Sequence, residues 1–236
     1  MQQYDWGIRM KYQIVGSTMP AVEILFEQPG ESMVTQSGGM AWMSDGVVMN
    51  TNTHGGVMKG LGRMFAGESM FMANYTAEKA GAVVAFASTS AGEIMPLDVT
   101  ATGGMICQKG AFLASEQTVN VNATFTKKLS AGVFGGEGFI LQDITGTGTA
   151  FLEIDGDKVV KELEPGEVIK VDTGNVVAFQ RTVQYEVEMV KGLKNIFLGG
   201  EGLFLTKLTG PGTVILQTQN MAEFAGRISR YIPSKG

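Results

Sequence analysis

The chain has 236 residues, of which 44% are apolar and 17% are charged, and its formal net charge is −5. This composition is sufficient for a sizeable apolar core, and the acidic balance disfavours a protein whose main task is to bind nucleic acid. The single cysteine excludes an intramolecular disulfide, and the sequence shows neither a secretory signal nor an apolar run long enough to cross a membrane. We therefore expect a reduced, cytoplasmic protein.

Short apolar segments bounded by turns run along most of the chain. They are rich in Val, Ile, Phe and Thr and often alternate with polar residues, as at 22–26 and 185–190, which is typical of β-strands. Glycine is abundant, at 33 residues, and suits many tight turns. The Asp155-Gly156 dipeptide, between two such segments, indicates a β-hairpin. The sequence therefore predicts an all-β fold.

Several turn markers recur along the chain at intervals of about 67 residues. One marker is a Gly-Glu pair, found at Gly67-Glu68, Gly136-Glu137 and Gly200-Glu201. A proline turn recurs at Pro29, Pro96 and Pro165. A turn that leads into a strand recurs at Gly38-Gly39, Gly103-Gly104 and Gly174-Asn175, and a single glycine recurs at Gly81, Gly148 and Gly212. Where glycine follows proline, as at Gly30 and Gly166, a type II turn is favoured.

This periodicity predicts one domain built of three similar sheet units, at about residues 8–88, 89–153 and 154–218. No linker rich in proline, serine or charge separates the units. A unit of this size has exposed strand edges, and stacking on its copies covers them. We therefore expect the three units to pack around a pseudo-threefold axis as a ring or prism.

The last predicted element is a helix over residues 220–232. Asn220 is a good N-cap, and Glu223 stands three residues later, as a capping box prefers. Met221, Phe224 and Ile228 fall on one face at helical spacing. One interpretation is that this apolar face covers the open end of the ring; another is that it binds a partner.

The glycine-rich segments at 67–72 (GESMFM), 134–138 (FGGEG) and 198–203 (LGGEGL) resemble a known family. It is the family related to the mitochondrial biogenesis protein called altered inheritance of mitochondria, and the resemblance covers residues 8–218. It implies the fold of the tryptophan RNA-binding attenuation protein (TRAP), a short double-stranded β-helix that forms rings. The resemblance implies three TRAP-like units in this chain and further assembly into an oligomer. It implies no catalytic residues, and the eukaryotic relatives suggest a structural role at membranes.

The Gly-Glu carboxylates are candidate ligand-binding groups. If the three units surround one axis, Glu68, Glu137 and Glu201 lie at one level around it, and converging carboxylates can bind a hard cation. The simpler interpretation is that each is a polar turn residue before a strand. A second set of turn carboxylates, Glu31, Asp98 and Glu167, is open to the same two interpretations.

Other groups do not favour an enzyme. His54 is the only histidine and lies in a polar loop, so an exposed loop residue is favoured over a general base or metal ligand. Cys107 lies in an apolar strand, which favours a buried, inert thiol over a nucleophile. The glycine clusters are not followed by a helix, so they are not dinucleotide fingerprints, and no cofactor or metal is predicted.

The candidate partner surface comprises Trp42, beside Met43 in a methionine-rich segment, and the predicted C-terminal helix. Flexible thioethers can build an adaptable binding surface, but they also fill imperfect cores, and the core interpretation of these methionines is favoured. Trp42 is the residue expected to be partly exposed at an interface. On the helix the candidate residues are Met221, Phe224, Arg227 and Ile228. The nearby Arg230 and Lys235 also suit contact with an anionic membrane surface.

We therefore hypothesise a non-enzymatic scaffold or interaction protein that acts through its surface and its oligomeric assembly. A homo-oligomer or another protein is the expected partner, with peripheral membrane contact as a further option. One alternative is a protein that binds a small ligand or a metal through the pseudo-threefold carboxylates. Another is RNA binding by analogy with the ring-forming relative, which the lack of a repeated Lys/Arg motif disfavours.

Overall fold

The structure is a computed structural model and describes residues 10–36, 38–50, 72–124, 140–189, 204–229 and 231–232. These residues form antiparallel sheets, two helices and two single 3₁₀ turns. The helices are α1 (Val99–Thr102) and α2 (Met221–Ser229). The prediction of an essentially all-β chain that ends in a helix is therefore confirmed.

The strands follow one another closely along the chain. The first seven are β1 (Lys11–Val15), β2 (Ala21–Leu25), β3 (Ser32–Gln36), β4 (Met40–Met43), β5 (Val47–Asn50), β6 (Met72–Ala77) and β7 (Val83–Ala87). The next six are β8 (Gly92–Asp98), β9 (Met105–Gln108), β10 (Phe112–Glu116), β11 (Val119–Thr124), β12 (Leu141–Gly146) and β13 (Thr149–Asp155). The last six are β14 (Lys158–Leu163), β15 (Val168–Asp172), β16 (Val176–Gln180), β17 (Gln184–Met189), β18 (Phe204–Thr209) and β19 (Gly212–Gln217).

Four sheets result from the pairing of these strands. Sheet A has the order β1-β2-β7-β4, and sheet D has the order β15-β18-β17. Between them, sheet B has the order β5-β6-β3-β10-β13-β8, and sheet C has the order β11-β12-β9-β16-β19-β14. Sheets B and C each combine strands from two distant stretches of the chain, so these stretches are joined by backbone hydrogen bonds as well as by side-chain packing.

Three apolar clusters fill the spaces between consecutive sheets. Cluster 1 joins sheets A and B, with Ile24 and Phe86 from the one and Met33 and Phe151 from the other. Cluster 2 joins sheets B and C and includes Leu152, Ile154, Cys107 and Ile144. Cluster 3 joins sheets C and D and includes Phe179, Val214 and Leu208. The described sheets are thus packed in the order A, B, C, D.

Strand β13 shows how a central sheet is buried on both faces. Phe151 belongs to cluster 1 and the next residue, Leu152, belongs to cluster 2, because successive side chains of a strand point to opposite faces. Both are fully buried. The ring of Phe151 meets that of Tyr12 edge to face, with 5.0 Å between ring centroids. Strand β13 therefore contributes side chains to cluster 1 from one face and to cluster 2 from the other.

The same irregularity of pairing occurs in β4, β10 and β16. The register against the neighbouring strand skips one residue in each case: Ala41, Leu113 and Val177. A residue without a partner in the ladder is the mark of a β-bulge, which bends the strand and increases its twist. The three strands thus carry a bulge at corresponding positions, which provides a common reference point for comparing them.

The structure confirms some turn markers and corrects others. Gly30 and Gly166 have φ of +90° and +80°, as the type II turns predicted after Pro29 and Pro165 require. Three glycines at the start of β7, β13 and β19 also have positive φ: Gly81 and Gly148, which precede the first two strands, and Gly212, the first residue of β19. The proline marker at Pro96 was wrong, because Pro96 lies inside β8 and not in a turn. Gly103-Gly104 does lead into a strand, β9, but the strand that carries a bulge like that of β4 is β10.

The hairpin predicted at Asp155-Gly156 is also wrong. Gly156 does have a positive φ of +73°, but the chain crosses there from sheet B to sheet C. Strand β13 already pairs with β10 on one side and β8 on the other. Because both of its edges are occupied, β13 has no free edge for β14, which pairs with β19 instead.

Helix α2 begins where the sequence predicts. The side-chain oxygen of Asn220 accepts a hydrogen bond from the backbone N–H of Glu223 at 3.3 Å, which confirms the N-cap. The Glu223 carboxylate pairs with Arg227 one turn later. The helix ends at Ser229, earlier than residue 232, since residues 231–232 are not helical. The side chain of Asn220 also donates to the carboxylate of Asp172 at 3.1 Å, so the helix starts beside the end of β15.

The predicted closure of the three units into a ring requires a pairing between the first and last sheets. Among the described residues, β4 pairs only with β7, and β15 pairs only with β18. No strand pair in this part of the chain joins sheet A to sheet D. Within the described part of the chain, β4 and β15 each keep one unpaired edge, and these two edges belong to the first and last sheets of the packed series.

Replacement of Phe151 by alanine tests the role of the doubly buried strand. Phe151→Ala removes a fully buried ring from cluster 1, and we expect the free energy of unfolding to fall by about 3–5 kcal/mol in urea titrations. Val160→Ala, on an exposed part of β14, is the control and should change it by no more than about 0.5 kcal/mol. Equal losses in the two variants would contradict this assignment of the core.

Candidate interaction surfaces

The Gly-Glu carboxylates and the lone histidine lie outside the described residues. This applies to Glu68, Glu137, Glu201 and His54. The hypothesis of a threefold carboxylate site therefore stays a prediction. Within the part of the chain that the structure describes, no group of three or more His, Cys, Asp or Glu side chains is placed to hold a metal ion. No helix there is long and apolar enough to cross a membrane.

The second set of carboxylates stabilises turns. Each member accepts a hydrogen bond from a nearby backbone N–H: Glu31 from Glu27 at 2.7 Å, Asp98 from Ala101 at 2.9 Å, and Glu167 from Glu164 at 2.9 Å. Asp98 is thereby the N-cap of α1. The three side chains are exposed. These bonds account for the carboxylates locally and favour the structural interpretation over a shared ligand site.

Cys107 is buried, as the sequence predicts. Its thiol is fully enclosed in cluster 2, and this burial, with a smaller effect from the charge of Asp143, raises its pKa far above the ordinary value. A thiol reacts as its thiolate, so a raised pKa makes Cys107 inert at neutral pH.

Glu153 is a half-buried ionisable group that the sequence analysis missed. It lies on β13, and its carboxylate accepts hydrogen bonds from the Ser88 hydroxyl at 3.1 Å and from the N–H and hydroxyl of Thr89 at 2.7 and 3.0 Å. The carboxylate of Asp155, two residues further along β13, accepts a hydrogen bond from the hydroxyl of Ser90. These bonds fasten the connection between β7 and β8 to sheet B. Burial raises the pKa of Glu153, and the hydrogen bonds from Thr89 and Ser88 oppose that rise.

Strand β4 presents exposed apolar side chains at the end of sheet A. Trp42 and Met43 keep 44% and 42% of their surface exposed. The indole N–H of Trp42 donates to the carboxylate of Glu23 at 3.0 Å. Glu23 belongs to β2, between the buried residues Val22 and Ile24. The indole therefore lies on the face of sheet A that points away from cluster 1.

Helix α2 is the second exposed apolar element. Met221, Phe224 and Ile228 share one face and keep 38%, 45% and 43% of their surface exposed. Arg227 is exposed and ion-paired with Glu223. Helix α2 follows β19 and starts beside the end of β15, whereas Trp42 lies on β4. The predicted partner residues thus belong to two different elements, β4 in sheet A and the helix that starts beside β15 of sheet D.

The fold and these surfaces describe a protein built predominantly of β-strands. The chain matches the family described as mitochondrial biogenesis AIM24 over residues 12–219. It therefore belongs to this family, which confirms the resemblance seen in the glycine-rich segments.

Relatives from Streptococcus pyogenes match nearly the whole chain. An uncharacterised protein of serotype M6 is 30% identical over 235 residues, which are 96% of this chain and 92% of the relative. The crystal structure of the S. pyogenes protein SPYM3_0169 is similar, with a TM-score of 0.78 and 27% identity, covering 95% of this chain and 100% of that one. The arrangement of sheets is therefore one that a solved structure shares.

The thiol of Cys107 provides a test of the core around β9. We expect no reaction with a thiol reagent in the native protein at neutral pH, because the side chain is buried and its pKa is raised. Stoichiometric labelling should appear only in denaturant, and mass spectrometry measures both. Rapid labelling of the native protein would contradict the packing of β9 between β12 and β16.

Glu153 predicts a specific dependence of stability on pH. Because its folded-state pKa lies above 4.5, the folded protein binds a proton at pH values where the unfolded chain has lost it. This group therefore makes the free energy of unfolding decrease as pH rises from 4.5 through the raised pKa. Glu153→Gln should flatten that decrease in urea titrations across this range. Glu78→Gln, at an exposed position, is the control, and an unchanged slope in Glu153→Gln would contradict the assignment.

Proposed function

We propose that this protein is a non-enzymatic scaffold or interaction protein of the cytoplasm that acts through its surface and its oligomeric assembly. The observation that carries the proposal is the placement of exposed apolar side chains. Trp42 and Met43 on β4, and the apolar face of α2, lie beside the free strand edges at the two ends of the series of sheets. Exposed apolar groups that adjoin one another mark sites of interaction.

We further propose that the chain consists of three TRAP-like units. The order of strand pairing supports this proposal, since it repeats in β2–β7, β8–β13 and β14–β19. In each set the sixth strand lies between the first and the third, and the fifth lies between the second and the fourth. The bulge in the third strand of each set, at Ala41, Leu113 and Val177, supports it independently.

The partner of this surface is proposed to be a protein, with a second copy of the chain as one such partner. Helix α2 combines an apolar face with the exposed guanidinium of Arg227. This arrangement suits a groove that receives an amphipathic helix. With nine residues, α2 is short for stable membrane binding by itself, so contact with a lipid surface is a secondary role in this proposal.

A tagged pull-down from the source cell tests the proposal. We compare the full chain, a chain that ends before Asn220, and the variant Phe224→Glu, which places a charge in the apolar face of α2. The matched control is Gly226→Glu, because a side chain at Gly226 meets nothing within 4 Å and position 226 lies on the opposite side of the helix.

We expect a partner protein to be retained by the full chain and by Gly226→Glu, and to be lost from the truncated chain and from Phe224→Glu. Retention in the membrane fraction with the same dependence would assign the helix to a lipid surface instead. If all four forms return the same proteins, α2 has no part in binding and this proposal for its role is wrong.

A further inference from the structure

The residues that the structure describes form two junctions at which a strand of one unit pairs with a strand of the next. At the first, β10 pairs with β3, and the facing residues are Ala114–Thr35, Ser115–Val34 and Glu116–Met33. At the second, β16 pairs with β9, and the facing residues are Ala178–Cys107, Phe179–Ile106 and Gln180–Met105. In both, the third strand of one unit pairs antiparallel with the second strand of the preceding unit. The chain therefore uses one type of junction twice.

The same two strand types are left free at the ends of the chain. The residue that follows the bulge is Trp42 in β4, Ala114 in β10 and Ala178 in β16. We align the three units at the residue after the bulge and then follow the registers of strand pairing to the second strand of each unit. In this alignment Val171 of β15 is the counterpart of Thr35 in β3 and of Cys107 in β9. Among the strands that the structure describes, β4 has no preceding unit to pair with, and β15 has no following one.

A strand without a neighbour should have more exposed side chains than its counterparts in the internal junctions, and the structure shows this difference. Ala114 and Ala178 are fully buried, whereas Trp42 keeps 44% of its surface exposed. On the other side, Thr35 and Cys107 are fully buried, whereas Val171 is only half-buried.

The next inward position of β15 shows the same contrast. Ile169 is half-buried, while its counterparts Met33 and Met105 are 1% and 2% exposed. Cluster 3 is accordingly bordered by partly covered apolar side chains of sheet D. The outer edges of β5, β11 and β17 are unpaired among the described residues in all three units, so they differ from β4 and β15 in having no paired counterpart.

We propose that β4 of one molecule pairs antiparallel with β15 of a second copy of this chain. The register is that of the internal junctions: Trp42 faces Val171, Met43 faces Lys170, and Ser44 faces Ile169. The interface joins different surfaces of the two copies, so it is heterologous and produces a closed ring or an open chain of molecules. This inference deepens the scaffold function proposed above by naming its self-assembly surface.

The chemistry of the two edges fits this pairing. At the internal junctions the residue after the bulge enters the apolar cluster of the preceding unit, Ala114 in cluster 1 and Ala178 in cluster 2. By the same geometry Trp42 covers cluster 3 of the second copy, beside Val171 and Ile169. Trp42 occupies the position that alanine has at the two internal junctions. Its larger indole buries more apolar surface against cluster 3, and this burial stabilises the contact.

A lysine on an edge strand often prevents pairing, but Lys170 does not obstruct this one. It alternates with the cluster-facing residues Ile169 and Val171 and therefore lies on the opposite face of sheet D. Its ammonium group is 2.7 Å from the Glu188 carboxylate of β17. The edge of β15 thus keeps its backbone groups accessible, while its charge is neutralised within its own sheet.

Analytical ultracentrifugation tests the self-association. We expect the purified chain to sediment as more than one copy, and Trp42→Asp to weaken the association at least 10-fold, as loss of a central tryptophan does at protein interfaces. Val160→Asp, which also places a charge at an exposed apolar position, is the control and should sediment as the unaltered chain does. A chain that sediments as a single copy at every concentration would overturn the proposal.

Cross-linking tests the register. Trp42→Cys and Val171→Cys are made in separate chains and oxidised alone or mixed. Val171→Cys introduces in β15 the residue that its counterpart in β9, Cys107, already is. Cys107 itself is buried, so it does not take part in the cross-linking. We expect a disulfide-linked dimer only in the mixture. A chain carrying both substitutions should form linked multimers.

The doubly substituted chain distinguishes the two ways in which the edges can meet. Cross-linking confined to single copies would show that β4 and β15 close within one molecule and would refute the intermolecular junction. A chain that stays single but retains a partner through α2 would refute this inference and the oligomeric part of the proposed function, and would leave the interaction with another protein intact. Self-association without any other partner would support the inference and remove the external partner from the proposed function.

Discussion

The structure depends on the sharing of sheets between consecutive parts of the chain. Sheets B and C each take three strands from one stretch and three from the next, so that backbone hydrogen bonds cross from stretch to stretch. Each of these sheets is covered on both faces by apolar clusters. A strand such as β13 therefore cannot be removed without exposing the clusters on its two sides, and the described sheets stabilise one another in series.

Polar groups in this arrangement mainly determine how the chain turns. Glu31 and Glu167 accept hydrogen bonds from their own turns, and Glu153 holds the connection between β7 and β8. An isolated carboxylate in a low-dielectric interior is unfavourable, and the donors of Ser88 and Thr89 compensate for the burial of Glu153. Acidic residues that look like candidates for chemistry thus have local structural partners wherever the structure describes them.

The strands, the C-terminal helix and its cap at Asn220 could be read from local patterns, because alternation and capping depend on residues close in sequence. The pairing partners could not. Gly156 has the conformation of a turn residue, but the Asp-Gly signal does not reveal that both edges of β13 are already occupied. Pro96 follows Pro29 at the spacing expected of a repeated turn, but it lies within β8. The chain turns only after β8, in α1. Glu153 carries no local signal at all, because its burial results from a loop 64 residues earlier.

The two junctions of the chain have a consequence for how such a protein changes in length. Each junction joins the third strand of a unit to the second strand of the unit before it, so the middle unit presents the same two edges that the outer units offer to it. A gene duplication or deletion of one whole unit would leave every internal junction with a compatible pair of strand edges. Growth by complete modules is therefore open to this architecture, whereas insertion of a single strand would disrupt two sheets.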